Sequence, residues 1–79
     1  MKIDLNLFAS LAPLLPAGAT GHSCILEMSG AKTVRELLNE LNIPDDMPKI
    51  VFLNGLHAHG DEVLKDGDRL TVFPPIAGG

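Results

Sequence analysis

The sequence has no tryptophan or tyrosine, a single cysteine, and six Lys or Arg residues among 79. Each scarcity closes off a class of function. One cysteine, Cys24, cannot build a disulfide framework or a four-cysteine zinc or iron–sulfur site, and it fits a reducing cytosol, so a cytoplasmic location is expected. Six scattered cations against ten carboxylates give a net charge of −4 and a pI near 5.1. That sign is wrong for neutralising phosphates, so neither nucleic acid nor an anionic membrane surface is an expected partner. The sequence holds no apolar run of the ~18 residues a membrane span needs, and Met1-Lys2-Ile3-Asp4 opens on polar/apolar alternation instead of an export leader. Glycine-rich phosphate loops are missing too; Gly60 and Gly67 occur singly in turn contexts.

What is present describes one small folded domain, residues 1–79. Hydrophobic residues make up 46% and charged residues 20%, far from the composition of a disordered chain. With only three Phe, the core must rest on Leu, Ile and Val, and a chain this short buries about 60% of its unfolded surface.

In chain order, Lys2–Phe8 alternates, with Ile3, Leu5 and Leu7 on one face and Lys2, Asp4, Asn6 and Phe8 on the other, which predicts a half-buried strand. Residues Ala9–Gly21, interrupted by Pro13, Pro16, Gly18 and Gly21, read as a loop with a short helical turn around Ser10–Leu15. His22–Ser29 alternates again, placing His22, Cys24, Leu26 and Met28 together, and should pair with the first strand as a loose hairpin. Thr33-Val34-Arg35-Glu36 has capping-box spacing, and Val34, Leu37, Leu38 and Leu41 form an apolar stripe of about three helical turns ending near Asn42, ahead of Pro44. Asp45–Pro48 reads as an acidic loop. Ile50-Val51-Phe52-Leu53 is apolar on both faces, Asn54-Gly55 signals a hairpin returning through Leu56–His59, and Asp61–Leu64 reads as a tight turn. A second Asp-Gly reversal at Lys65–Asp68 launches Arg69–Phe73, with Leu70 and Val72 facing one way and Arg69, Thr71 and Phe73 the other.

Strand, strand, helix, strand, short strand, strand is an α+β order. A right-handed crossover lays the last strand parallel to the first at the sheet centre. The expected architecture is the β-grasp, or ubiquitin-like, fold: a mixed four- to five-stranded sheet packed on one main helix. One helix shields one face only. Phe8, Phe73 and one side of the Ile50–Leu53 run are therefore left on the open face, Phe8 and Phe73 at neighbouring strand ends, where an apolar patch marks an interface unless the Ala9–Gly21 loop folds over it.

The chain then ends in Phe73-Pro74-Pro75-Ile76-Ala77-Gly78-Gly79. Proline has a fixed φ and no N–H to donate, so Pro74 and Pro75 should turn residues 74–79 into an extended tail off the sheet. Pro75 to Gly79 can span roughly 17 Å when extended. Gly78 and Gly79 lack a Cβ and suit a channel too narrow for any other residue. The expected reactive group is the Gly79 carboxyl, with Phe8, Phe73, Pro74, Pro75, Ile76 and Ala77 engaging a partner.

Other chemistry-bearing residues have plainer readings. Cys24, on the alternating face with Leu26 and Met28, is expected to be a small buried hydrophobe. His57 and His59 fall on one face of a short edge strand; with no third ligand at strand or helix spacing, they read as solvent-exposed, and no metal site is expected. Glu36 and Glu40 read as a solvated helix face.

Val51-Phe52-Leu53-Asn54-Gly55, Leu64-Lys65-Asp66-Gly67-Asp68-Arg69-Leu70 and Phe73-Pro74-Pro75-Ile76-Ala77-Gly78-Gly79 together resemble the small, sulfur-carrying subunit of molybdopterin synthase. The resemblance spans nearly the whole chain, including Phe8-Ala9, and the wider family includes the sulfur carrier of thiamine thiazole synthesis. It implies that an adenylating enzyme related to the ubiquitin-activating enzymes uses ATP to activate Gly79, and that sulfur then replaces one oxygen to give a thiocarboxylate. It further implies that the large synthase subunit accepts the tail. On this reading the chain binds no cofactor of its own, ATP belongs to the activating partner, and the chain is a carried co-substrate, not a catalyst. Thiamine, tungstopterin and cysteine synthesis are variant pathways, and a ubiquitin-like modifier joined to lysines through Gly79 is the alternative.

Overall fold

The computed structural model describes residues 1–16 and 18–75. Its frame follows from the alternation in the first strand. In β1 (Lys2–Leu7) the side chains of Ile3, Leu5 and Leu7 are fully buried. β1 pairs antiparallel with β2 (Ser23–Glu27), Leu5 opposite Cys24, and parallel with β5 (Arg69–Phe73), Leu5 opposite Leu70. β3 (Ile50–Leu53) lies antiparallel to β5 and to the two-residue β4 (Leu56–His57), giving the order β2-β1-β5-β3-β4. The last strand is thus parallel to the first at the sheet centre, as the crossover argument requires, and the fold is the β-grasp.

One face of the sheet packs against α1 (Val34–Glu40), whose Val34, Leu37 and Leu38 join Ile3, Leu5, Leu7, Leu70 and Val72 in one core. The first helical turn leaves N–H groups that need acceptors. Val34 N–H donates to the Glu62 carbonyl and Arg35 N–H to that of Gly60, both at 2.9 Å. Glu36 N–H donates to Thr33 Oγ1 at 3.2 Å while Thr33 N–H donates to Glu36 Oε1 at 2.8 Å, the reciprocal capping box.

The helix is one turn shorter than its apolar stripe predicts. Asn42 takes φ 66°, and Ile43 N–H reaches back to the Leu38 carbonyl at 2.8 Å while Asn42 N–H reaches that of Asn39 at 3.1 Å. This is a Schellman ending, with Ile43 fully buried as its hydrophobic partner. Leu41 therefore serves as the C-cap. Asp61–Leu64 is likewise not the tight turn expected. Val63 forms an antiparallel bridge with Thr33, and Leu64 N–H donates to the Lys32 carbonyl at 2.8 Å. The segment runs alongside the helix start because the unpaired N–H groups there recruit its carbonyls.

The loop after β1 contains a 3-10 helix, Ala9–Leu14, that sinks Leu11 into the core and sets Leu14 and Leu15 against it. β2 begins one residue later than the alternation suggests, because Gly21, at φ 62°, redirects the chain. His22 is consequently not on the face of Cys24 and Leu26, which stand opposite Leu5 and Ile3 on the core side; its ring stacks on Phe8 instead.

Candidate functional site

The chain's three phenylalanines and three histidines, its whole complement of aromatic rings, form one continuous row on the face that α1 leaves uncovered. The row follows the strand order. His22, at the start of β2, stacks on Phe8 after β1 with ring centres 4.3 Å apart. Phe8 stacks on Phe73 at the end of β5, at 4.7 Å and 12° from parallel. Phe52 in β3 meets Phe73 edge-on at 6.1 Å, and His57 in β4 meets Phe52 edge-on at 5.9 Å, with His59 beyond at 5.8 Å.

Register explains the row. Parallel pairing sets Leu7 beside Val72, both buried, so Phe8 and Phe73, the next residues, emerge together on the opposite face. Antiparallel pairing sets Ile50 across from Phe73 and Phe52 across from Thr71, which brings Ile50 and Phe52 to the same face while Val51 is buried and Leu53 packs against the core. His22, just after the Ala9–Gly21 loop, covers part of Phe8 by stacking on it. The Phe73 side stays open and forms a cavity of about 360 Å³ lined by Phe8, Ala9, Ile50, Phe52, Phe73, Pro74 and Pro75.

Of the expected partner-binding residues, Phe8, Phe73, Pro74 and Pro75 thus converge on one cavity. Ile76, Ala77, Gly78 and Gly79 lie outside the described residues. Pro74 and Pro75 follow β5 outside the ladder, Pro74 half-buried and Pro75 exposed. Ala9, Ile50 and Phe52 join the site without having been singled out as site residues. For Ile50 and Phe52 the signal was the alternation of the Ile50–Leu53 run combined with the register to β5; Ala9, at φ 52°, was marked only by the Phe8-Ala9 resemblance.

No lining side chain titrates, so the cavity offers apolar surface rather than proton transfer. Farther along the same face Arg69 Nε donates to Asp4 Oδ2 at 3.0 Å, an exposed ion pair across the register position Asp4 to Arg69. Shifted carboxylates sit elsewhere: the Glu62 carboxylate is held below its ordinary range by the His59 and Gly60 N–H groups it accepts, each at 2.7 Å. Asp45 is held low by its hydrogen bond and charge pairing with Arg35, and Glu36 by the Thr33 cap. Cys24 is half-buried on the core-facing side of β2. Among the described residues, no three His, Cys, Asp or Glu side chains converge as a metal-binding group, and no helix is long and apolar enough to cross a membrane.

The model of the ThiS family matches residues 6–79. Small archaeal modifier protein 1 of Haloferax volcanii superposes with a TM-score of 0.70 at 27% identity, over 95% of this chain and 98% of that one. A Pyrococcus furiosus protein assigned as molybdopterin converting factor, subunit 1, gives a TM-score of 0.69 at 27% identity with the same coverage, 95% and 98%. A chain from the complex of subunits 1 and 2 of the molybdopterin-converting factor of Helicobacter pylori covers 100% of both chains with a TM-score of 0.62; at 19% identity the likeness is one of fold. No curated protein matches the sequence.

Proposed function

The chain belongs to the ThiS family, and we propose that within this group of ubiquitin-fold sulfur carriers and small modifiers it carries sulfur for molybdopterin synthesis on a Gly79 thiocarboxylate. The observation that supports this reading best is the cavity where Phe8 and Phe73 meet Pro74 and Pro75. It joins a half-buried aromatic pair, a side-chain type that dominates interface energies once a partner desolvates it, to the segment that leads into Ile76-Ala77-Gly78-Gly79.

The chemistry follows from the carboxylate. An ionised α-carboxylate, with an ordinary pKa of about 3.3–3.7, is a poor electrophile. A partner enzyme therefore supplies ATP: the Gly79 carboxylate oxygen attacks the α-phosphorus, pyrophosphate leaves, and an acyl adenylate forms. Hydrosulfide, HS⁻, then adds to the Gly79 carbonyl carbon, AMP departs and the S–H proton is lost to solvent, leaving a thiocarboxylate with sulfur where one oxygen was. Gly78 gives clearance in the partner's channel, Ile76 and Ala77 line the threaded segment, and residues 74–79 act as one tail on a single domain. The acceptor partner is a large synthase subunit, a role supported by the subunit 1 assignment of the Pyrococcus likeness.

The likeness to the Haloferax modifier favours a second reading, in which activated Gly79 forms an isopeptide bond to a lysine of another protein. Intact-mass spectrometry of the protein purified from its own host under reducing conditions tests both. Replacement of one oxygen by sulfur at Gly79 establishes the carrier, and a Gly79–lysine linkage establishes the modifier. An unmodified carboxylate throughout removes both readings.

A further inference from the structure

We propose that His57 and His59 form a two-imidazole binding site for a late first-row divalent metal ion, such as Zn²⁺ or Ni²⁺, at the β4 end of the aromatic row. Spacing alone did not carry this; the geometry does. The ring centres of His57 and His59 are 5.8 Å apart. Two imidazoles sharing a zinc ion at about 2.0–2.1 Å from each nitrogen, near the tetrahedral angle, hold their ring centres roughly 5 Å apart. A small rotation about the side-chain bonds closes the difference.

The backbone beneath the pair is tied on both sides, so what remains to be ordered when an ion binds is the two side chains. His57 is paired with Phe52 across the ladder, and its ring stands edge-on to the Phe52 ring at 88°. Ala58 is buried, and its N–H donates to the Val51 carbonyl at 2.8 Å. His59 is held at both its backbone groups: its N–H donates to Glu62 Oε2 at 2.7 Å, and its carbonyl accepts from Arg35 Nη2 at 3.3 Å. Both side chains are exposed. Among the described residues neither ring is engaged in a hydrogen bond or ion pair, so its nitrogens are available as donors.

The Glu62 carboxylate, which accepts the His59 and Gly60 N–H groups at 2.7 Å each, and the Arg35 guanidinium on the His59 carbonyl fix this turn from opposite sides. Imidazole nitrogen suits zinc, nickel and copper and not calcium or magnesium, whose preference is oxygen. With two protein donors the remaining coordination positions are open, to water or to a donor on a molecule docked along the open face.

The test is a titration of the full-length protein with ZnSO₄ alone at neutral pH, followed by NMR of the histidine rings and backbone amides. Saturable perturbation of the His57 and His59 rings at one ion per chain is expected, with His22 unchanged. His57→Asn and His59→Asn should each weaken binding at least tenfold, while His22→Asn leaves it intact; amide spectra without metal report that each variant is folded. MgCl₂ should give no ring perturbation. Equal effects at His22, retention of affinity in either single variant, or no saturation by millimolar Zn²⁺ would overturn the proposal.

Discussion

Asn54 and Asp68 lock two separate turns of the chain together. Asn54 Nδ2 donates to Asp68 Oδ1 at 2.9 Å, and Asn54 Oδ1 accepts from the neighbouring Arg69 N–H at 2.9 Å. Asp68 uses its other oxygen to accept Lys65 N–H at 2.8 Å, closing the Asp66-Gly67 reversal that starts β5. Asn54 also holds φ at 53°, a conformation asparagine tolerates better than alanine. Asn54→Ala loses both hydrogen bonds and adds backbone strain, so it should destabilise by about 2–4 kcal/mol. Asn54→Gly removes the strain and keeps the hydrogen-bond loss, about 1–2 kcal/mol. Urea denaturation of both variants checks the ordering; equal losses would show that the positive φ at Asn54 carries no strain cost, and no loss in Asn54→Gly would show that the side-chain bonds contribute nothing.

Phe73→Ala should weaken partner binding more than folding. Phe73 is half-buried and stacks on Phe8, so its removal forfeits an aromatic pair contribution of about 0.5–1.5 kcal/mol beyond the buried area. At the centre of a desolvated interface the same ring is worth 2 kcal/mol or more, about a thirtyfold loss of affinity. Calorimetric titration with the activating enzyme or the large subunit, run beside a thermal melt, separates the two. Collapse of stability with normal binding by the folded remainder would place Phe73 in the core instead.

Acid should destabilise the protein through Glu62, Asp45 and Glu36, all with folded pKa values below their ordinary range. For a group lowered on folding, the unfolded chain binds more protons in the window between the two values, so stability rises with pH there. The contribution is complete above the unfolded value, near 4.5 for Glu62, and is lost as pH falls through the folded one. Glu62→Gln should lower stability at pH 7 and flatten the slope below pH 4.5. An unchanged slope in melts across this range would show that the backbone N–H contacts of Glu62 do not persist in solution.

Most of the frame was legible because it rests on strong local signals. The alternation of Ile3, Leu5 and Leu7, the Thr33 to Glu36 capping box and the Asn54-Gly55 turn each had one good structural solution, and the parallel placement of the last strand beside the first then followed from crossover handedness. The misreadings arose where a tertiary contact overrode the local pattern. Leu41 continues the apolar stripe, yet the buried Ile43 and the Asn42 turn stop the helix. Asp61–Leu64 has turn-forming composition, yet the helix N-terminus supplies donors that hold it extended. His22 continues the β2 alternation, but Gly21 turns it onto Phe8. The meeting of Phe8 with Phe73 was accessible from strand ends alone; Phe52 and Ile50 needed the register.

Pro74 and Pro75 should matter to delivery more than to stability. Pro74 is half-buried, Pro75 exposed, and both follow the last ladder residue, so Pro74→Ala with Pro75→Ala breaks no ladder hydrogen bond and removes only part of one ring's packing. Each replacement widens the backbone conformations open to its own position, worth about 0.4–1 kcal/mol per proline. A partner that must receive Ile76–Gly79 in one extended path then has about 1–2 kcal/mol more ordering to impose, a loss of roughly 5- to 30-fold in kcat/KM for Gly79 adenylation. Truncating packing at Phe73 would instead lower both stability and kcat/KM. Pyrophosphate release by the activating enzyme, measured against concentration of the double variant, checks this. An unchanged kcat/KM would mean that the partner orders the tail by its own contacts, and that the proline pair serves only to end the sheet.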